Sequence, residues 1–356
     1  MKYILLLLIV FITKNGFSQD PNFSQFYNIP VYYNPAMNAM DNGFTITSHN
    51  RALWGLIPKQ LNTFVLAAEV ESIGPFNFGC LAISNQEGQS NLNTNSGYFN
   101  FSFNPSVFNP NKHKLQFGTS IGLINRNINS DNFVFSDQLD EVYGNINSTS
   151  FKNNTIGFNS LDIGFGSAYR FSNLFKLNTK IYKYLITTGL SFNHYPSGRQ
   201  AFIDKSLNIQ HKIIFHCDYK FLSNFKVYKT SFIFENQKPF QTYTFGLSST
   251  LPMNKQANRH DLTFGLYYRN RLTHSKIKNS DALIFTLGLD IHYGINKKRF
   301  KIYYSYDLTI SKLTNNYSGG SHELSLQLKF DDLIFLKAKS SRNFKQRMHK
   351  CPSELM

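Results

Sequence analysis

Between Asp281 and Phe330 the chain switches between apolar and polar at every second residue, in three successive segments. Leu283, Phe285, Leu287, Leu289, Ile291 and Tyr293 share one face of the first, against Ala282, Thr286, Gly288, Asp290 and His292. Phe300, Ile302, Tyr304, Tyr306, Leu308 and Ile310 repeat the pattern against Lys301, Ser305, Asp307, Thr309 and Ser311. Leu324, Leu326, Leu328 and Phe330 then alternate with Ser325, Gln327 and Lys329. Successive side chains on a strand point to opposite faces, so each segment is a strand with one apolar and one polar side. A soluble sandwich satisfies that pattern. So does a transmembrane barrel, whose strands of about ten residues carry an outward apolar band and a polar interior.

The N-terminus bears on the choice. Met1-Lys2 precedes the apolar run Tyr3–Ile12, followed by Lys14 and the small residues Gly16 and Ser18. This is the layout of a secretory signal peptide over 1–18, cleaved after Ser18 to leave Gln19 first. The apolar run is too short to cross a bilayer as a helix, and no later segment reaches the length of a membrane helix. Export leaves three compartments: periplasm, outer membrane or medium. The chain is basic, with a formal net charge of +16, or +14 once Lys2 and Lys14 leave with the leader. An exported basic protein meets anionic lipid headgroups or acidic protein surfaces, not nucleic acid. Cys80, Cys217 and Cys351 are too few and too far apart for a disulfide framework.

Read for the same alternation, the rest of the chain yields about fourteen strands: 44–50, 62–70, 77–85, 97–104, 113–126, 157–170, 181–193, 209–221, 226–236, 240–250, 260–271, 281–294, 299–311 and 321–330. The longest connection, 127–156, follows an odd-numbered strand, and the short links 222–225 and 295–298 follow even ones. Outer-membrane barrels put short turns in the periplasm and long loops outside. The turns at 105–112, 171–180 and 251–259 are longer than that rule prefers, and 237–239 is too short for an outer loop. Closure would also remove the edge strands that an open sheet exposes. The expected fold is therefore all-β, a transmembrane up-and-down antiparallel barrel spanning 44–330. A periplasmic N-terminal segment (19–43) precedes it and a basic periplasmic tail (331–356) follows.

Enzyme signatures are missing: the chain has no GxSxG, HExxH, glycine-rich phosphate loop or paired CxxC. His211 and His216 are five apart and fall on opposite faces of a strand. The acidic cluster Asp131, Asp137, Asp140 and Glu141 reads as a solvated loop or protein contact ahead of a Ca²⁺ site. Asp290 and Asp307 read as lumen residues paired with Lys or Arg. No catalytic residue, cofactor or metal site is expected.

Several short motifs occur together and in order. They are Gln19-Asp-Pro-Asn-Phe-Ser-Gln-Phe-Tyr27, Tyr33-Asn-Pro-Ala36, Arg51-Ala-Leu-Trp54, Phe135-Ser-Asp-Gln-Leu-Asp140, Tyr304-Ser-Tyr-Asp307 with Ser318-Gly-Gly-Ser-His-Glu323, and Cys351-Pro352. In this the chain resembles the PorP/SprF family of Bacteroidetes outer-membrane proteins, tied to type IX secretion and gliding motility. No motif is placed over about 171–280, and the family's aromatic after Cys-Pro is missing here. The resemblance implies a barrel that helps a large adhesin-type substrate reach or stay on the surface, acting by protein contacts. Its implied partners are the secreted adhesin or its C-terminal domain, periplasmic secretion components and outer-membrane lipid. Candidate partner-binding residues are Arg51, Trp54, Asp137, Gln138, Asp140, Tyr306, Asp307, His322, Glu323 and Cys351. A passive or solute-selective porin is the alternative, and a secreted soluble β-protein a third reading.

Overall fold

The alternating segments close on themselves. The computed structural model describes residues 20–331, apart from parts of the connections (57–60, 73, 89–91, 106–111, 129–132, 134–135, 141–142, 146–147, 149–155, 178–179, 197–208, 224–225, 254–258, 274–277, 294–297 and 312–313). Fourteen antiparallel strands pair in sequence order around a closed barrel. They are β1 (Phe44–Leu53), β2 (Leu61–Glu71), β3 (Phe76–Glu87), β4 (Leu92–Phe103), β5 (His113–Ile128), β6 (Ile156–Leu177), β7 (Lys180–Tyr195), β8 (Lys212–Ser223), β9 (Lys226–Gln237), β10 (Phe240–Pro252), β11 (His260–Thr273), β12 (Lys278–Tyr293), β13 (Lys298–Thr309) and β14 (Ser321–Phe330). The seam joins β1 to β14, with Phe44 opposite Phe330 and Arg51 opposite Glu323. A two-residue ribbon, Leu139–Asp140 against Gly144–Asn145, sits within the long connection after β5.

The side-chain period gives the wall its two faces. On β12, Phe285 and Leu287 are each 50% exposed while Ala282, Ile284 and Thr286 are buried. Phe264 and Leu266 on β11 and Leu324, Leu326 and Leu328 on β14 point outward in the same way. Such a belt of exposed apolar side chains is stable only against hydrocarbon. Aromatic pairs collect at the rim that bears Phe44 and Phe330. Those two rings stack at 6.2 Å, and Phe76 meets Phe103 at 5.3 Å, as in the aromatic girdles of membrane barrels. Both ends of the sheet lie at this rim, which makes it the periplasmic one. The connections 129–155, 196–211 and 310–320 leave from the opposite rim.

Two expectations change. The long turn expected at 171–180 is a strand extension: β6 runs to Leu177 and β7 starts at Lys180. Leu174 and Phe175 are both exposed there, so the alternation lapses near the end of this long hairpin. The two-residue link 238–239 remains the exception among the outer connections.

The larger change concerns the N-terminal segment, expected at the periplasmic face. Residues 20–43 lie inside the barrel instead, from Asp20 beside the outer rim to Gly43 at the periplasmic one. Pro30–Tyr33 forms one helical turn and Pro35–Met37 a 3-10 turn. Asn34 caps the second, its side-chain oxygen accepting the Ala36 N–H at 2.9 Å, with Pro35 in the first position. An Asn cap followed by Pro is a pre-formed turn start. Phe23, Phe26, Ile29, Val31 and Tyr33 are buried against inward residues of the wall, among them Val65, Ala67, Leu81, Ile214, Ile233, Tyr267 and Ile284. The hydrophobic core of the molecule is thus a plug packed on mid-barrel wall.

Glycines shape the seat. A Cβ on Gly118 would collide with the backbone of Pro35 and Ala36, and one on Gly166 or Gly189 with the Asn34 amide. On β3, a Cβ at Gly79 would strike the Asn38 side chain. The Asn34-Pro35-Ala36 turn therefore lies directly on strand backbone, a close approach that glycine alone permits.

Candidate functional site

The plug is locked by charge near the β1/β14 seam. The Ser24 N–H donates to Glu323 Oε1 (2.6 Å) and the Gln25 N–H to Glu323 Oε2 (2.9 Å). The Ser24 hydroxyl donates to Asp307 Oδ2 (2.6 Å) and accepts from Arg51 Nη1 (2.8 Å) and Arg269 Nη1 (2.9 Å). Arg51 also pairs with Glu323 and reaches Asp307 at 2.9 Å. Arg269 bridges Asp307 (2.8 Å) and Asp281 (2.6 Å), and His49 Nε2 lies 3.3 Å from Glu323 Oε2. Ser24, Gln25, Asp307 and Glu323 are at most 1% exposed. Buried charges persist only when paired and hydrogen-bonded, and here the plug backbone completes the set. Gln25 adds hydrogen bonds to Ser305 Oγ and the Glu323 carbonyl, at 3.1 and 3.2 Å.

Further anchors hold the rest of the segment. Near the outer rim Asp20 meets His194 at 2.7 Å, and His194 meets Asp162 at 3.0 Å. Lys212 pairs with Glu235 (2.9 Å), which also accepts from Asn22 Nδ2 (2.6 Å). Burial alone would raise the Asp20 carboxyl, but the charges of His194 and Lys212 outweigh it and hold the group well below the usual carboxylate range. In mid-barrel, Asn34 Nδ2 donates to the Ser167 carbonyl (3.0 Å) and the Ser191 hydroxyl to the Tyr33 carbonyl (2.6 Å). Towards the periplasm, the Ala39 N–H donates to Glu69 (2.8 Å), Gln116 Nε2 to the Asn38 carbonyl (2.6 Å) and Lys329 Nζ to the Asp41 carbonyl (2.8 Å). Arg170 pairs with the Asp41 carboxylate at 2.7 Å.

The structure brings three of the ten candidate partner-binding residues together: Arg51, Asp307 and Glu323 form the latch, and the contacts they make are within the chain. Trp54 follows at the outer end of β1, half-buried, with a left-handed backbone (φ 63°) and its N–H donating to the Gly320 carbonyl at 2.8 Å. Tyr306 bonds Asn315, while His322 faces outward against the rings of Tyr304 and Tyr306. Asp137, Gln138 and Asp140 stand apart in the long outer connection, where Asp140 Oδ1 accepts the Tyr143 N–H. Cys351 and the tail 332–356 lie outside the described residues, as do Gln19 and the leader 1–18. No group of residues suited to hold a metal occurs among the described residues.

The partners of the latch went unread in the sequence: Ser24, Gln25, Arg269, Asp281 and His49. One signal was present. An apolar residue at an inward position of a lumen wall, such as Ile284 between Ala282 and Thr286, needs an apolar partner inside the barrel.

These features define an outer-membrane β-barrel whose N-terminal segment fills its lumen. The profile of the type IX secretion system membrane proteins PorP/SprF matches residues 15–328, and the chain belongs to that family. It is an outer-membrane component of type IX secretion, and neither family nor fold is that of an enzyme class. A search of curated proteins finds no match. Solved structures similar to the chain include a FadL homologue of Pseudomonas aeruginosa, 12% identical over 85% of this chain and 94% of that one (TM-score 0.44). Another is the CymD monoaromatic hydrocarbon channel, 10% identical over 85% and 92% (TM-score 0.41).

Proposed function

We propose that this barrel is a plugged scaffold that aids secretion or surface attachment of a large adhesin-type substrate through protein contacts. The observation that carries the reading is the lumen. The segment 20–43 occupies it, with buried anchors near the outer rim, in mid-barrel and towards the periplasm. A solute porin requires a hydrated path through the lumen, and in this barrel Phe23, Phe26 and Tyr33 fill the lumen against the inward apolar residues of the wall. Function then falls to the surfaces at each rim. The outer connection that carries Asp137, Gln138 and Asp140 meets the exported substrate. The basic tail with Cys351 is a periplasmic extension that meets periplasmic secretion components.

Affinity capture from outer membranes of the native host tests this. A tagged barrel should retain a large secreted protein bearing its C-terminal domain, and substitution of Asp137, Gln138 and Asp140 together should weaken retention. Recovery of lipid and lipopolysaccharide alone would favour the porin and refute the scaffold.

A further inference from the structure

The outer rim holds a cavity that the latch leaves open. It measures about 460 Å³, and its apolar lining includes Leu53, Trp54, Leu61, Leu92 and Phe240. Small-ligand sites span about 300 to 1,000 Å³ and combine an apolar lining with a few placed polar groups. Three carboxylates border it, each already engaged. Asp281 is held by Arg269 at 2.6 Å, Asp20 by His194 at 2.7 Å, and Glu87 accepts from Asn85 at 2.6 Å. Arg271 lines the cavity with no ion pair or hydrogen bond among the described residues, and its Nε is buried without a partner. The residue is only half-buried, so its outer nitrogens are left to face the cavity, and the neighbouring Asp281 carboxylate is already bonded by Arg269. A guanidinium with donors to spare there is suited to take an anion. Trp54 beside it keeps a left-handed backbone, a conformation retained in a bulky residue only where the surroundings enforce it.

We propose that this vestibule binds a carboxylate carried next to an apolar or aromatic group, as at the C-terminus of an exported peptide chain. Arg271 takes the carboxylate, to which a guanidinium offers a charge-assisted, two-pronged pair. Trp54, Leu53, Leu61 and Phe240 take the apolar part. The assignment stands on the cavity and holds whichever substrate the barrel serves.

Trp54 is the chain's single tryptophan, so its fluorescence reports on the site directly. The probe is a short peptide ending in Phe with a free carboxylate, titrated into the full-length barrel in detergent micelles. A saturable change is expected. Affinity should fall about tenfold or more for the C-terminal amide of the same peptide and for Arg271→Gln. Heat-modifiable gel migration verifies that the variant is folded, and Arg271→Lys should recover part of the affinity. 3-Phenylpropanoate separates two sources of the same chemistry. Peptide binding about tenfold tighter than the small acid supports a chain terminus; equal binding overturns that source and assigns the site to small organic acids. No saturable response by fluorescence or calorimetry, equal binding of the amide, or full affinity in Arg271→Gln overturns the site itself.

Discussion

Glu323→Gln removes one charge from the latch at almost constant shape. The carboxylate accepts the Ser24 and Gln25 amides and pairs with Arg51, at full burial. Gln keeps one acceptor oxygen and turns an NH₂ group towards a donor. Arg51 retains Asp307 at 2.9 Å, so the loss is partial. Removing one partner of a buried pair costs about 3–5 kcal/mol, and a hydrogen bond to a charged group about 1.5–3 kcal/mol. These overlap and the loss is partial, so about 3 kcal/mol, the low end of the larger range, is the expected loss at the plug's outer half. That corresponds to an increase of about two orders of magnitude in the opened population. Hydrogen exchange read by mass spectrometry resolves it. Amides of 20–28 should exchange about a hundredfold faster than in the native protein, while β12 and β13 stay protected. The double variant Arg51→Gln/Glu323→Gln should cost less than the sum of its parts, because the two residues share one network. Unchanged exchange at Ser24 and Gln25 would refute the latch.

Three further outcomes follow from the geometry. Gly118→Leu places side-chain atoms where the Pro35–Ala36 backbone lies, so protease access to the plug should rise while the barrel still migrates as folded; a protected plug would contradict the glycine seat. Asp20 has a carboxyl depressed by His194 and Lys212 against the effect of burial. Its stabilisation is therefore full above the unfolded carboxylate value, about 3.9, and disappears as pH falls through the lower folded value. The difference in unfolding midpoint between the native protein and Asp20→Asn should hold at neutral pH and shrink only below that range; loss near pH 6 would contradict the assignment. Leu287→Arg puts a charge on the lipid face and should cost about 2–4 kcal/mol if it lies at mid-bilayer; a denaturant titration in lipid vesicles showing no cost would place β12 away from hydrocarbon.

The wall was legible because hydrocarbon on one side and a packed, polar lumen on the other impose the period of two. Phe285 and Leu287 against Thr286, or Leu324 to Leu328 against Ser325 and Gln327, state that directly. The pattern lapsed where that contrast ends, and so Phe171–Leu177 read as a turn although it continues β6. The plug was not legible because its segment has no period. Its turns are fixed by Pro30, Asn34 and Pro35, and its position depends on wall residues far away in sequence. Gly118, Gly166 and Gly189 each look like ordinary strand glycines until the turn that lies on them is known. Arg51, Asp307 and Glu323 could be singled out from motifs, but Ser24 as their shared ligand needed the fold.

Single-channel recording in planar bilayers tests the central claim, that residues 20–43 close the lumen. The native barrel should show no steady conductance. A variant lacking 20–40, with its folding verified by heat-modifiable migration, should show stable open steps. Steady conductance from the native protein, unchanged by removal of the segment, would contradict the account.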